Sequence, residues 1–91
     1  MADILPRVGM VVTSRMGRDK DKVFMVAAVV DNEFVMIADG KYRKLSNAKR
    51  KRWKHVAFAG KILDGIAAKI EAGKKVFDSE VFSALREIKE G

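Results

Sequence analysis

The segment GMVVTSRMGRDKDK (residues 9–22) and the apolar run VFMVAAVV that follows it (residues 23–30) determine how this chain folds. The pattern predicts a strand rich in Val and Met, a short charged loop and a second, longer strand, because β-branched and aromatic residues suit a pleated surface. Charges alternate in sign from Arg18 to Lys22, directly after Gly17, which can take the positive φ of a tight turn. We expect this loop to project into solvent, where it can contact a polyanion.

Turn signals divide the first two thirds of the chain into five short predicted strands. Asp31-Asn32 and Asp39-Gly40 are hairpin signals, since Asp, Asn and Gly tolerate the positive φ angles of such turns. The predicted strands are Val8–Arg15, Val23–Val30, Phe34–Asp39, Tyr42–Leu45 and Trp53–Phe58. Five short strands with tight turns are typical of a small, strongly bent barrel.

The last third of the chain changes to helical spacing. One helix is predicted from Ile62 onward, with Gly73 as its C-cap. A second is predicted to begin at Asp78 as N-cap, with Phe77 and Phe82 as a hydrophobic staple. The second and third strands are apolar on both faces and therefore need cover on both sides. We expect the two helices to provide it by packing on the outside of the barrel.

The same residues that predict the first hairpin resemble a KOW motif. They are Gly9-x-Val11-Val12, then Gly17-Arg18-Asp19-Lys20-x-Lys22 and a valine-rich strand. KOW motifs form the β-loop-β core of small SH3-like barrels in ribosomal proteins and in NusG-type transcription elongation factors. The chain is similar, more closely, to short stand-alone bacterial KOW proteins that resemble archaeal and eukaryotic large-subunit ribosomal proteins.

This resemblance covers Gly9 to about His55 and includes Ala38-Asp39-Gly40 followed by basic residues. It implies RNA binding, commonly to ribosomal RNA, with barrel loops and basic tails as contacts. Asp21 stands where the family usually has a second glycine. Because Asp tolerates the left-handed conformation better than most residues, we expect the loop still to close.

Length and composition bound these expectations. Ninety-one residues, 48% of them hydrophobic and 34% charged, predict one globular domain, with residues 1–58 as the barrel and 59–91 as the helical extension. Nineteen Lys and Arg against twelve Asp and Glu give a net charge of +7, which attracts anions and nucleic acid first among them.

The segment 41–54 carries the clearest functional signal, because it contains many cations and no acid. Consecutive like charges repel, and a phosphate backbone relieves that repulsion by displacing counterions. The alternative is a solvated loop without a partner. The candidate RNA-binding residues here and in the first loop are Arg18, Lys20, Lys22, Lys41, Tyr42, Arg43, Lys44, Lys49, Arg50, Lys51, Arg52, Trp53 and Lys54.

Several of these residues have an equally simple structural reading. Aromatic rings such as Tyr42 and Trp53 can stack on unpaired bases, but a lone Trp in a small barrel also serves as a core or rim residue. The cations of the first loop can pair with Asp19 and Asp21, and such ion pairs add little stability at a surface. These two carboxylates lack a third oxygen ligand for a divalent cation, and we expect His55 to be an ordinary strand residue.

The chain lacks the residues and motifs that other classes of protein require. The chain has no cysteine, hence no disulfide framework or thiolate metal site, and no nucleophile elbow or Walker glycine loop. We therefore expect a binding protein, not an enzyme, without cofactor, metal or small-molecule substrate. The first residues lack a signal-peptide pattern and the longest apolar run is too short for a bilayer, so a cytoplasmic protein without membrane contact is expected. The resemblance to KOW proteins implies that it is ribosome-associated.

Three functions follow from these features. The first is an RNA-binding protein that docks on structured, plausibly ribosomal, RNA through the basic segment and the first loop. The second is an SH3-like protein-interaction module that recognises an acidic partner in transcription or ribosome assembly. The third is a small DNA-binding protein.

Overall fold

One sheet of five antiparallel strands, followed by two helices, makes up the computed structural model, which describes residues 4–18 and 20–90. The strands are β1 (Met10–Ser14), β2 (Val23–Val29), β3 (Phe34–Ala38), β4 (Lys49–Arg52) and β5 (Val56–Ile62). The helices are α1 (Asp64–Glu71) and α2 (Asp78–Glu90), and short 3₁₀ turns cover Leu45–Asn47 and Trp53–His55. A mainly β chain that ends in two helices is therefore confirmed.

The sheet is open, in the order β4-β3-β2-β1-β5, and it must curl. In a flat sheet its outer strands would lie about 19 Å apart, since neighbouring strands are about 4.8 Å apart. The connection from Arg52 at the end of β4 to Val56 at the start of β5 spans at most about 14 Å. The two edges therefore approach each other, and Trp53 on this connection packs against the concave side of the sheet.

Two apolar cores lie on opposite faces of the curled sheet, as the two-faced strands predict. The inner core consists of Met10, Val12, Phe24, Val26, Val35, Ile37 and Val56. The helix-side core consists of Val11, Met25, Ile66, Val81 and Leu85. Neighbouring residues of β1 and β2 thus alternate between the cores, and the prediction that the helices cover the outer face is confirmed.

The fourth strand does not form where the sequence predicts it. Asp39 and Gly40 do make a turn, because their backbone N–H groups both donate to the Arg43 carbonyl and Asp39 Oδ1 accepts from the N–H of Lys41 and of Arg43. The chain then leaves the sheet, since the N–H of Leu45 donates to Asp78 Oδ1 on α2 over 2.7 Å. The strand resumes only with the basic residues of β4.

The fifth strand is likewise shifted along the chain. Trp53–His55, predicted as its start, forms a 3₁₀ turn. β5 begins at Val56 and continues to Ile62, so residue 58, where the sequence predicts the strand and the barrel segment to end, lies inside a strand. Ile62, predicted in the first helix, pairs with Met10 instead. Packing of Ile62 against the inner core outweighs the local helical spacing, because tertiary packing overrides weak local propensity.

The start of α2 also differs from the prediction. The carbonyl of Phe77 accepts from the N–H of Glu80 and of Val81, and Glu80 Oε2 accepts from the N–H of Phe77, so Phe77 occupies the N-cap position. Asp78 is the first helical residue, and the Phe77 side chain is 55% exposed and belongs to neither core. The predicted end of α1 is confirmed, as Gly73 follows it with φ +72°.

Candidate nucleic-acid interface

The basic strand β4 lies at an edge of the sheet. It pairs only with β3, so the backbone groups along its other side have no strand partner among residues 4–18 and 20–90. Its register places Lys49 and Lys51 opposite Ile37 and Val35 on the inner-core face. Four consecutive cations on such an edge also keep it from pairing with another strand of like charge.

Arg50 and Arg52 lie on the other face of β4, and both guanidinium groups are close to the ring of Phe34. They pair with Met36 and Phe34, and directly opposite residues of an antiparallel pair share a face. The guanidinium carbon of Arg50 lies 4.1 Å from the centroid of the Phe34 ring, and that of Arg52 lies 4.9 Å from it. Both guanidinium groups therefore lie over the same ring on an edge strand of the sheet.

The charged loop (residues 15–22) closes as the sequence predicts. Gly17 has φ +82°, and Asp21 has φ +70°, the one positive value for a non-glycine residue in the described part of the chain. The N–H of Asp21 donates to the carbonyl of Ser14, and the N–H of Lys20 to that of Gly17. Arg18, Lys20 and Lys22 are exposed on this loop, whereas Asp19 lies outside the described residues.

A lysine of β4 connects the charged loop to the basic strand. Lys51 Nζ donates to the carbonyl oxygen of Met16 over 3.3 Å. The two segments that the sequence analysis singled out separately therefore lie side by side at one end of the sheet. Their juxtaposition could not be deduced from spacing, because it depends on how far the sheet curls.

Tyr42 lies between cations of two different loops. Its side chain is 79% exposed, Lys41 Nζ lies 5.2 Å from its ring centroid, and Lys22 Nζ of the charged loop lies 5.8 Å from the same point. Lys41 Nζ is also 5.3 Å from the centroid of the Phe82 ring on α2. The ring is thus placed at the surface beside α2, not in a core.

The remaining candidate residues differ in exposure and in their contacts. Arg43 is half-buried and donates from Nη1 to the carbonyl of Asn47 at 3.5 Å, while Lys44 and Lys54 are exposed. Trp53 packs on the inner core, and its Nε1 donates to the carbonyl of Ile4 over 3.0 Å. Its ring therefore has the rim-packing role, although it also borders a cleft of about 260 Å³ with Arg52 and Lys54.

Two cations of the helices have carboxylate partners. Lys69 pairs with Glu80 and Arg86 with Glu90. The hydrogen bond from Lys69, followed by that from the N–H of Phe77, lowers the pKa of Glu80. Both ion pairs lie outside the segment 41–54, so they do not reduce its positive charge.

Residues 4–18 and 20–90 contain neither a metal-ion cluster nor a membrane-spanning helix. No three Asp, Glu or His side chains come together there as a metal-ion site. No helix in the described ranges is both long and apolar enough to cross a membrane. Among known proteins, neither a scan against models of protein families nor a search of curated proteins finds a match to this chain.

Two features of this surface escaped the sequence analysis. Phe34 was assigned only to the predicted third strand, yet its ring contacts the guanidinium groups of Arg50 and Arg52. Predicting this contact requires knowledge of the register between β3 and β4. Arg86 and Lys89 of α2 border the same cavity as Tyr42, although they are distant from it in the sequence. The helical spacing of α2 alone does not indicate that Arg86 or Lys89 lies near Tyr42.

Proposed function

We propose that this chain is a KOW-type RNA-binding protein whose curled sheet is a small SH3-like barrel, and that it docks on structured, ribosomal RNA in the cytoplasm. The observation that carries the proposal is the strand β4, in which Lys49, Arg50, Lys51 and Arg52 form an edge strand of the sheet beside the charged loop. A rigid row of cations matches the regular spacing of backbone phosphates better than a mobile tail does. Phosphate contacts of this kind position a protein and supply most of its affinity.

The curl of the sheet supports the barrel, and the net charge of +7 supports a polyanionic partner. Recognition dominated by the backbone favours the shape of a folded RNA over its sequence. The exposed cations of the charged loop, Arg18, Lys20 and Lys22, extend the contact beyond β4. Lys41, Arg43, Lys44 and Lys54 of the same basic segment add further cations.

The decisive experiment compares two variants that each remove two positive charges. Arg50→Gln/Arg52→Gln changes the basic strand, and Lys61→Gln/Lys75→Gln changes exposed lysines on β5 and before α2. We expect the first variant to bind a structured ribosomal RNA fragment at least tenfold more weakly, with a shallower dependence of log K on log salt. Equal loss in both variants would show that only net charge matters and would overturn the assignment to β4.

Association with ribosomes is tested by sedimentation of cell extract through sucrose gradients. We expect the protein to travel with a ribosomal subunit at low salt and to leave it as salt rises. Migration in the light fractions at low salt would contradict ribosome association. Competition between duplex DNA and structured RNA of equal length separates this function from DNA binding.

A second function rests on a groove of about 520 Å³ between β2, β3 and the end of α1. Ala28, Met36, Ile70 and Val76 contribute apolar surface to it, and Lys74 borders it. An SH3-like module that recognises an acidic protein in transcription or ribosome assembly would use this groove. Ala28→Gln, a neutral change at an exposed position, would then abolish the protein complex and leave RNA affinity unchanged.

A further inference from the structure

A small cavity of about 110 Å³ lies where the end of the sheet meets α2. Val23, Phe82 and Leu85 give it an apolar lining, and Tyr42 and Arg86 border it with exposed side chains. The cavity has room for one planar ring system and is too small for a helix of RNA. It lies at the end of the sheet that also carries the charged loop.

The turn that carries Tyr42 is held rigidly against α2. A Cβ atom on Gly40 would lie 2.2 Å from the carbonyl oxygen of Asp78, so the backbone of this turn touches the helix directly. Asp39 Oδ1 accepts hydrogen bonds from the N–H of Lys41 at 2.9 Å and of Arg43 at 2.8 Å. The backbone that carries the exposed ring is therefore anchored on α2, which lowers the entropic cost of binding a ligand there.

The chemistry around Tyr42 suits a nucleotide. An exposed ring offers a face on which a base can stack, and the ammonium groups of Lys41 and Lys22 lie within 6 Å of the ring centroid, where a phosphate of the same nucleotide can meet them. A base that stacks on the ring displaces one lysine, and stacking is worth more than an exposed cation–π contact. The displaced lysine stays within reach of the backbone phosphate.

We propose that Tyr42, together with Phe82 and Arg86 of α2, forms a binding site for a single unpaired nucleobase of RNA. Bases within a duplex are stacked on each other and cannot reach a protein ring, so the site selects a bulge or a loop. This inference rests on the proposed RNA binding and adds to it, because β4 and the charged loop recognise the backbone of paired and unpaired RNA alike. The site extends the interface from the sheet to α2.

The test uses the full chain and two RNA hairpins with the same base-paired stem, and the one phosphate that a bulge adds is present for every protein variant compared. One hairpin is fully paired in its stem, and the other carries a single bulged 2-aminopurine, while both have the same short, tightly stacked loop. We expect about tenfold tighter binding to the bulged hairpin and quenching of the 2-aminopurine fluorescence. Tyr42→Ala should remove both effects without changing affinity for the paired hairpin, and Tyr42→Phe should keep them.

The controls separate this site from the proposed function. Because Tyr42 is 79% exposed, Tyr42→Ala should fold as the natural chain does, which thermal unfolding checks. If the chain binds both hairpins equally well, or if Tyr42→Ala weakens both equally, the nucleobase site is wrong and RNA binding stands. If neither hairpin binds at low salt, the proposed RNA-binding function itself is overturned.

Discussion

The backbone N–H of Leu45 donates a hydrogen bond to Oδ1 of Asp78 over 2.7 Å. This contact joins the basic segment to the first residue of α2, two regions that are far apart in the sequence. Leu45 lies in a 3₁₀ turn outside the sheet, and β4 begins at Lys49. The start of the basic segment is thus held by a carboxylate of the C-terminal helix.

The first prediction concerns this carboxylate. Asp78→Ala should lower the free energy of unfolding by about 1–2 kcal/mol, since hydrogen bonds to charged groups in half-buried positions are worth that much. Asp78→Asn keeps an acceptor oxygen and should cost less than about half as much. Urea unfolding of the three proteins measures both values, and an equal loss in the two variants would assign the effect to charge at the helix N-terminus instead.

The second prediction compares two glycines with the same φ of +82°. Gly40→Ala should destabilise the protein by at least about 2 kcal/mol, because its Cβ would collide with the carbonyl oxygen of Asp78 in addition to the strain of a left-handed residue. Gly17→Ala adds only that strain, about 1–2 kcal/mol, as no heavy atom lies within 4 Å of its Cβ. Similar unfolding free energies for both variants would contradict close packing of the Asp39–Arg43 turn on α2.

The third prediction concerns the link between β4 and the charged loop. Lys51→Met keeps the length of the side chain but removes the donor to the Met16 carbonyl. We expect the amide hydrogens of Lys20 and Asp21 to exchange about fivefold faster, equivalent to about 1 kcal/mol for the lost hydrogen bond. Lys61→Met, on β5, is the matched control and should leave these two amides unaffected.

The fourth prediction is a dependence of stability on pH. The pKa of Glu80 is lowered in the folded chain by the hydrogen bond from Lys69 and then by that from the N–H of Phe77. Its contribution is therefore fully present above its ordinary pKa of about 4.5 and is lost as pH falls through the lowered value. The stability difference between the natural chain and Glu80→Gln should shrink over this acidic range, as thermal unfolding at stepped pH would record. A difference that stays constant down to the lowest pH would contradict the lowered pKa.

Local chemistry was sufficient for several elements. Gly17 and Asp21 have the positive φ angles that the loop pattern requires, and Gly73 ends α1. The two-faced strands correctly indicated a cover on each side of the sheet. The strand at Tyr42–Leu45 was wrong, because the turn at Asp39 and the contact with Asp78 outweigh strand propensity there.

The sequence by itself determined the first three strands, the two helices, the charged loop and the positive segment, because each depends on periodicity, turn residues or charge within a short stretch. Only the tertiary structure decided that Lys49–Arg52 is an edge strand, that Lys51 reaches the charged loop and that Tyr42 and Phe82 border the same cavity. The physical reason is that these relationships join residues distant in the sequence. The curl of the sheet and the packing of α2 bring them together, and neither leaves a local pattern.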